Sequence, residues 1–97
     1  MAEGGPLQVL IVDDEPLGRE RIEGLLSAEP DVEIVGRSQN GEEAVDAIRE
    51  LEPDLVFLDI EMPGMTGIEV VREVGPESMP CTIFVTAYDQ YALQAFD

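Results

Sequence analysis

Asp54-Leu-Val-Phe-Leu-Asp-Ile-Glu-Met-Pro-Gly64 is the stretch that decides the fold. Leu55 to Leu58 and then Ile60 enclose a single carboxylate, Asp59, and Met62-Pro63-Gly64 ends any regular structure. A short, continuous apolar run closed by turn residues is the pattern of a parallel-sheet strand covered on both faces. Such a strand offers a charge no solvent along its length, so Asp59 is expected at the strand's C-terminal mouth.

Upstream, Gln8 to Val12 reads as a first strand that runs into Asp13-Asp14-Glu15-Pro16. Pro16 suits the first turn of a helix, where its missing N–H costs nothing, and acids before it favour the positive helix end. Ile22, Leu25 and Leu26 then mark one face of a helix from Pro16 to Ala28, with Gly18 allowing a close approach and Pro30 closing it. Val32 to Val35 is a second strand. Asn40, with Glu43 three residues on, opens a second helix through Ala44, Val45, Ile48 and Leu51 that ends before Pro53.

Downstream, Thr66 and Glu69 repeat that cap-plus-Glu signature, and Ile68, Val71 and Val74 predict the buried face of a third helix closed by Gly75-Pro76. Cys81 to Val85 is a fourth strand, and residues from Tyr88 onward predict a fourth helix. Cys81 and Phe57 are expected in the core. Strands recurring about every 25 residues with one helix between them specify right-handed βαβ units and a parallel α/β sheet. In such sheets the ligand site lies beyond the C-terminal strand ends, where strand order reverses, and the residues there are Asp13, Asp14, Asp59 and Thr86.

Ninety-seven residues make one domain, with residues 1–6 as a flexible lead-in. Twenty-two acids against five arginines, with no lysine, give a net charge of -17, which repels nucleic acid and anionic membranes. The arginines at 19, 21, 37, 49 and 72 form no visible patch. The absence of histidine removes imidazole chemistry, and the lone Cys81 can form neither an internal disulfide nor a zinc site. No run approaches the ~20 apolar residues of a membrane span and no signal peptide is evident, so a cytoplasmic location is expected.

Three carboxylates at one mouth raise each other's proton affinity unless a cation sits among them. Hard oxygen donors suit Mg²⁺, which keeps several waters and often takes a phosphate as a further ligand. Metal-assisted phosphoryl transfer follows, with Asp59 as the nucleophile and the Thr86 hydroxyl directed to a phosphoryl oxygen. Blander readings stand beside these. Asp13-Asp14 could cap the first helix, Thr86 could cap the fourth, and Asp59 could be a backbone-bonded loop residue, while Glu43 and Glu69 read as structural.

Through Val9-Leu-Ile-Val-Asp-Asp-Glu-Pro16, the Asp54–Gly64 stretch with Gly67, and Val85-Thr-Ala-Tyr88, the chain resembles the receiver domain of bacterial two-component response regulators over nearly all its length. The resemblance implies a flavodoxin-like fold with strand order 2-1-3-4 and phosphorylation of Asp59 by a sensor histidine kinase. It also implies Mg²⁺ held by Asp13, Asp14, Asp59 and the backbone carbonyl of Glu61, with Thr86 as the switch hydroxyl and Ala87 beside the phosphoryl group. Receivers catalyse their own phosphorylation and dephosphorylation and are not conventional enzymes. The segment from Thr86 to Asp97 resembles the receivers joined to LytTR-type DNA-binding domains, which implies a transcription regulator whose DNA contacts lie outside this chain.

The family's pocket lysine, fifth strand and fifth helix would lie beyond Asp97, making residues 7–97 a truncated receiver. A bare fourth strand, or the fourth helix, would then favour a homodimer or exchange of elements between chains. Two other readings compete with the signalling switch. One is a dimerisation module that works without phosphorylation. The other is a Mg²⁺-dependent phosphatase, because Asp59-Ile-Glu61 after an apolar strand resembles the nucleophile motif of haloacid-dehalogenase-like hydrolases.

Overall fold

The computed structural model of the chain describes residues 5–85, in the order β1 (Leu7–Val12), α1 (Pro16–Leu26), β2 (Val32–Ser38), α2 (Gly41–Leu51), β3 (Leu55–Asp59), α3 (Gly67–Val74) and β4 (Cys81–Val85). Thr86, Ala87 and the helix expected from Tyr88 lie outside the described residues, as do residues 1–4 of the expected lead-in. All strand pairs are parallel, and the sheet order is β2-β1-β3-β4, as the family resemblance implies.

That order fixes the layers. The chain steps from β1 to β2 in one direction and then back past β1 to β3, so right-handed crossovers place α1 on one face and α2 and α3 on the other. Side chains alternate accordingly along β1. Leu10 and Val12 join Val56, Leu58, Ala44, Val45, Ile48, Met62 and Val70 in one core cluster, whereas Val9 and Ile11 are buried toward α1. Each fully buried Val or Leu contributes roughly 1.5–3 kcal/mol relative to exposure.

Local chemistry ends and begins the helices where the sequence signals it. Asn40 Oδ1 accepts from Glu43 N at 2.8 Å, and the Glu43 carboxylate reaches past the cap to accept from Gln39 N at 3.2 Å. Thr66 and Glu69 form a reciprocal capping box, with bonds of 2.9 and 3.2 Å. Glu52 closes α2 in the left-handed region at φ 47°, just before Pro53.

Four expectations need correction. The buried face of α3 is Gly67, Val70, Val71 and Val74, a strict i, i+3, i+4, i+7 set, while Ile68 is 42% exposed. Val70 rather than Ile68 is the anchor. Second, β2 continues past Val35 to Ser38. The ladder to β1 skips Val35, because the register passes from Val9↔Ile34 to Leu10↔Gly36, and a Cβ at Gly36 would lie 2.8 Å from Leu51 Cδ1. A bulge with its glycine hides the strand from a purely apolar reading.

Third, Leu25 is 71% exposed, because α1 lies against β1 and β2 and Leu25 falls outside that strip. Fourth, Cys81 is exposed and Phe57 only half-buried. Both belong to the α1 face of the sheet, through the register Leu55↔Cys81 and Phe57↔Ile83, and among the described residues no helix covers β3 and β4 there. Thus β3 is fully covered on one face, at Val56 and Leu58, and only partly on the other.

Gly67 joins α3 to the strand that carries Asp59. Its N–H donates to Ile60 O at 2.9 Å, and a Cβ on it would fall 2.4 Å from the Asp59 carbonyl oxygen. The obstacle is backbone and cannot swing away. Gly67→Ala is therefore expected to destabilise the fold by about 2 kcal/mol, read as a lower urea midpoint at unchanged slope.

Candidate functional site

The strand order reverses between β1 and β3, and the C-terminal ends of those two strands open into a cavity of about 360 Å³. Asp13, Asp14, Asp59 and Glu61 line it, together with Glu15 and Arg21. Val85, the last described residue, lines it from β4. The expected site residues that fall within the described chain therefore meet in one place; Thr86 and Ala87 fall outside it.

Each acid is placed by backbone. Asp13 continues β1, donating its N–H to Ser38 O at 3.1 Å, and its Oδ1 accepts from Glu15 N at 2.9 Å. A Cβ at Gly18 would lie 2.1 Å from Asp13 Oδ2, so the glycine leaves room for that carboxylate against the first turns of α1. Arg19 Nη1 donates to the Asp13 carbonyl at 2.7 Å and ties α1 to the strand end. Asp59 is the last residue of β3, and its Oδ1 accepts from Glu61 N at 3.2 Å.

The two blander readings are thus partly realised, since both Asp13 and Asp59 hold local backbone N–H groups. Neither accounts for the clustering. The residue that caps α1 is Glu15, which makes no side-chain cap bond, and Pro16 occupies the first helical position.

One carboxylate oxygen from each of Asp13, Asp14 and Asp59 lies within 4.8 Å of the other two. Asp13 is 9% exposed and Asp59 only 7%, and Asp14 is half-buried. Burial pushes the Asp59 carboxyl up to about 6, and the Asp13 charge adds to it; the Glu61 N–H opposes the shift, while hydrogen bonding and charge from Asp14 reinforce it. A group held that far above the ordinary carboxylate range carries an unfavourable charge at neutral pH. Three hard oxygen donors around an acidic void fit a small divalent cation, which would relieve that charge.

Sequence reading missed the arginines here. Arg19 and Arg21 make no patch, but Arg19 follows Asp13 by six residues and reaches back to it, and Arg21 reaches the cavity. Their signal was position on the helix that starts directly after the acid pair. Leu17, 73% exposed, also lines the cavity from α1.

The family described as "Response regulator receiver domain" matches residues 9–97. Among curated proteins, the chain is 50% identical over 91 residues to the transcriptional regulatory protein BtsR of Salmonella typhi, covering 94% of this chain and 38% of that protein. An uncharacterized response regulatory protein of Vibrio vulnificus is likewise 50% identical over 91 residues, with the same coverage. The chain therefore spans well under half the length of these relatives.

Among solved structures, the signal receiver domain of the response regulator NarL from Mycobacterium tuberculosis superposes with a TM-score of 0.79 at 33% identity, covering 92% of this chain and 73% of that one. CheY in a CheX–CheY–BeF₃–Mg²⁺ complex from Borrelia burgdorferi gives a TM-score of 0.81 at 28% identity, covering 95% and 70%. Among the described residues no helix is long and apolar enough to cross a membrane.

Proposed function

The chain belongs to the response regulator receiver domain family, and from that premise we propose that it is a phosphoacceptor whose Asp59 is charged from a histidine kinase in a Mg²⁺-dependent reaction. The observation that carries this reading is the meeting of Asp13, Asp14 and Asp59 within 4.8 Å at the reversal of the sheet. In the reaction, an ionised Asp59 oxygen attacks the donor phosphorus; the new O–P bond makes an acyl phosphate as the bond to the donor breaks and the donor leaves with that electron pair. The Glu61 N–H bond to Asp59 Oδ1 orients the carboxylate for that attack.

Asp13, Asp14 and Asp59, with the Glu61 carbonyl, would hold the Mg²⁺, and when bound the ion neutralises charge on the transferring oxygens. The CheY relative is held with Mg²⁺ and BeF₃ at an overall fold that superposes on this one, which supports the same assignment here. Thr86 would supply the switch hydroxyl and Ala87 a contact to the phosphoryl group. The similarity to BtsR supports an output that regulates transcription from the cytoplasm, and we assign that output to a LytTR-type DNA-binding domain outside this chain. The charge of -17 makes the domain itself a poor ligand for DNA.

The test is intact mass after incubation with acetyl phosphate and Mg²⁺. A gain of one phosphoryl group that disappears when EDTA is added beforehand is expected; no gain at any Mg²⁺ concentration would overturn the assignment.

A second reading concerns association. β4 and β2 are the two edge strands among the described residues, and on β4 Ile83 and Phe84 are each more than 40% exposed. An apolar edge is a template for pairing with a second copy. Light scattering should show a dimer that persists without acetyl phosphate and grows with added salt, which screens self-repulsion; a monomer at all concentrations and salts would dismiss it.

A further inference from the structure

The cavity around Asp59 is a hostile destination for an anion. Asp13, Asp14, Glu15, Asp59 and Glu61 all line it, and the substrate that the phosphoacceptor reading requires is a phosphoryl donor carrying negative charge of its own. Even with a divalent ion bound, acids outnumber cations at the mouth among the described residues. Charges within roughly 8 Å of the approach path act on the donor before salt screens them, so any cation at the lip has a large share in the encounter.

The five arginines are not equivalent in this respect. Arg19 donates to the Asp13 carbonyl and does not line the cavity. Arg37, on β2, is paired with Glu23 of α1, and Arg49 donates to the Glu73 carbonyl at 3.1 Å. Arg72 is on α3, across the sheet, where it shares a separate groove with Glu69 and Glu73. Arg21 is the remaining one. It is exposed, it lines the acidic cavity, and among the described residues it makes no hydrogen bond or ion pair, although carboxylates stand on the same walls.

We infer that Arg21 is a donor-binding residue, whose guanidinium contacts those oxygens of an incoming acyl or imidazole phosphate that neither metal nor backbone holds, and so draws the anion past the acidic rim to Asp59. The inference rests on the phosphoacceptor reading above. Arg21 carries a fork of N–H donors that fits two phosphoryl oxygens, on an arm long enough to sample the mouth without being held by a partner. It exchanges no proton in the step; the O–P bond to Asp59 forms, the bond to the donor breaks, and Arg21 stays cationic throughout. Its position two residues beyond Arg19 puts it on a different side of α1, which explains why one arginine braces the strand end while the other addresses the cavity.

The experiment compares the wild-type protein with Arg21→Gln, Arg21→Lys and Arg72→Gln, measuring the rate of phosphoryl uptake from acetyl phosphate by intact mass, together with Mg²⁺ affinity by calorimetry. Arg72→Gln changes the net charge equally but far from the cavity. Arg21→Gln is expected to slow uptake about fivefold at low donor concentration, with the loss in donor affinity and not in the saturated rate, and to flatten its dependence on salt. Arg21→Lys should recover most of the rate, and Arg72→Gln should stay within twofold of wild type.

Mg²⁺ affinity separates this role from a structural one. Removing a nearby positive charge leaves the cation site as good or better, so Arg21→Gln should bind Mg²⁺ at least as tightly while accepting phosphate more slowly. Uptake by Arg21→Gln within twofold of wild type, an equal loss in Arg72→Gln, or a parallel loss of Mg²⁺ affinity would each overturn the inference. If wild type itself takes up no phosphoryl group, the phosphoacceptor reading falls and this inference with it; if wild type is phosphorylated and Arg21→Gln keeps pace, only this inference falls.

Discussion

Asp59→Asn is expected to take up no phosphoryl group from acetyl phosphate and, in Mg²⁺-free buffer at pH 7.5, to melt higher than the wild type. The first would follow on the proposed function because an amide has no ionised oxygen to attack phosphorus. The second follows from the cost of the charge. The folded-state value for Asp59 is about 6, above the usual carboxylate value near 4, so between those two values the native state binds the proton that the unfolded chain has released. Stability from this group therefore falls as pH rises from about 4 to about 6, and the whole penalty is present above 6.

The gap between those two values, discounted for the open mouth of the cavity, amounts to roughly 2 kcal/mol, or a rise of roughly 8–15 °C in melting temperature for a domain of this size. Asparagine keeps an oxygen to accept from Glu61 N and gains N–H donors that face the remaining carboxylates. Melting curves of both proteins at pH 4.5, 6 and 7.5 decide it. The difference should be small at pH 4.5 and open through pH 6, and a difference that does not change with pH would show that burial of the Asp59 charge is not its cause.

Mg²⁺ should reverse that penalty in the wild type. Ligand that binds only the native state adds about 2.7 kcal/mol at a hundredfold excess over its dissociation constant, and here it also relieves repulsion among Asp13, Asp14 and Asp59. The proton competes with the metal at Asp59, so apparent affinity should weaken toward about tenfold per pH unit below 6 and level off above it. Thermal shift in Mg²⁺ against EDTA, with NaCl matching the ionic strength, measures this. Asp13→Asn and Asp59→Asn should lose most of the shift, and an equal shift in Asp59→Asn would argue that the ion binds elsewhere.

Much of this site was legible because the signals are local and strong. The apolar runs at Val9–Val12 and Leu55–Leu58 fix two neighbouring strands, each ending in acid, and the βαβ rhythm brings those ends together. The capping signatures at Asn40 and Thr66 were equally plain, because a polar residue followed by Glu three places on satisfies backbone donors in only one geometry.

What escaped depends on neighbours that sequence does not name. Ile68 and Val70 are both apolar and two residues apart, and only the direction in which α3 packs on β3 selects Val70. The second half of β2 carries Gly36, Arg37 and Ser38, and it is a strand because β1 provides the ladder and Glu23 holds Arg37 with two hydrogen bonds. Cys81 looks like core by type, yet its exposure is set by what stands over that part of the sheet. Arg21 matters through the cavity it faces, which no periodicity reveals.

The unequal coverage of the two sheet faces carries a dynamic meaning. Resistance to local opening follows the density of buried apolar contact, which is high where α2 and α3 pack on Leu10, Val56 and Leu58 and low on α1, a helix with no fully buried side chain. The acidic cavity straddles that boundary. The Asp59 backbone is held by the close approach of Gly67 from the α3 side, whereas the cavity that its side chain enters is walled by α1, whose amides should open and exchange sooner. Asp59 should thus be the fixed post of the cavity, and the α1 wall facing it the part that opens first.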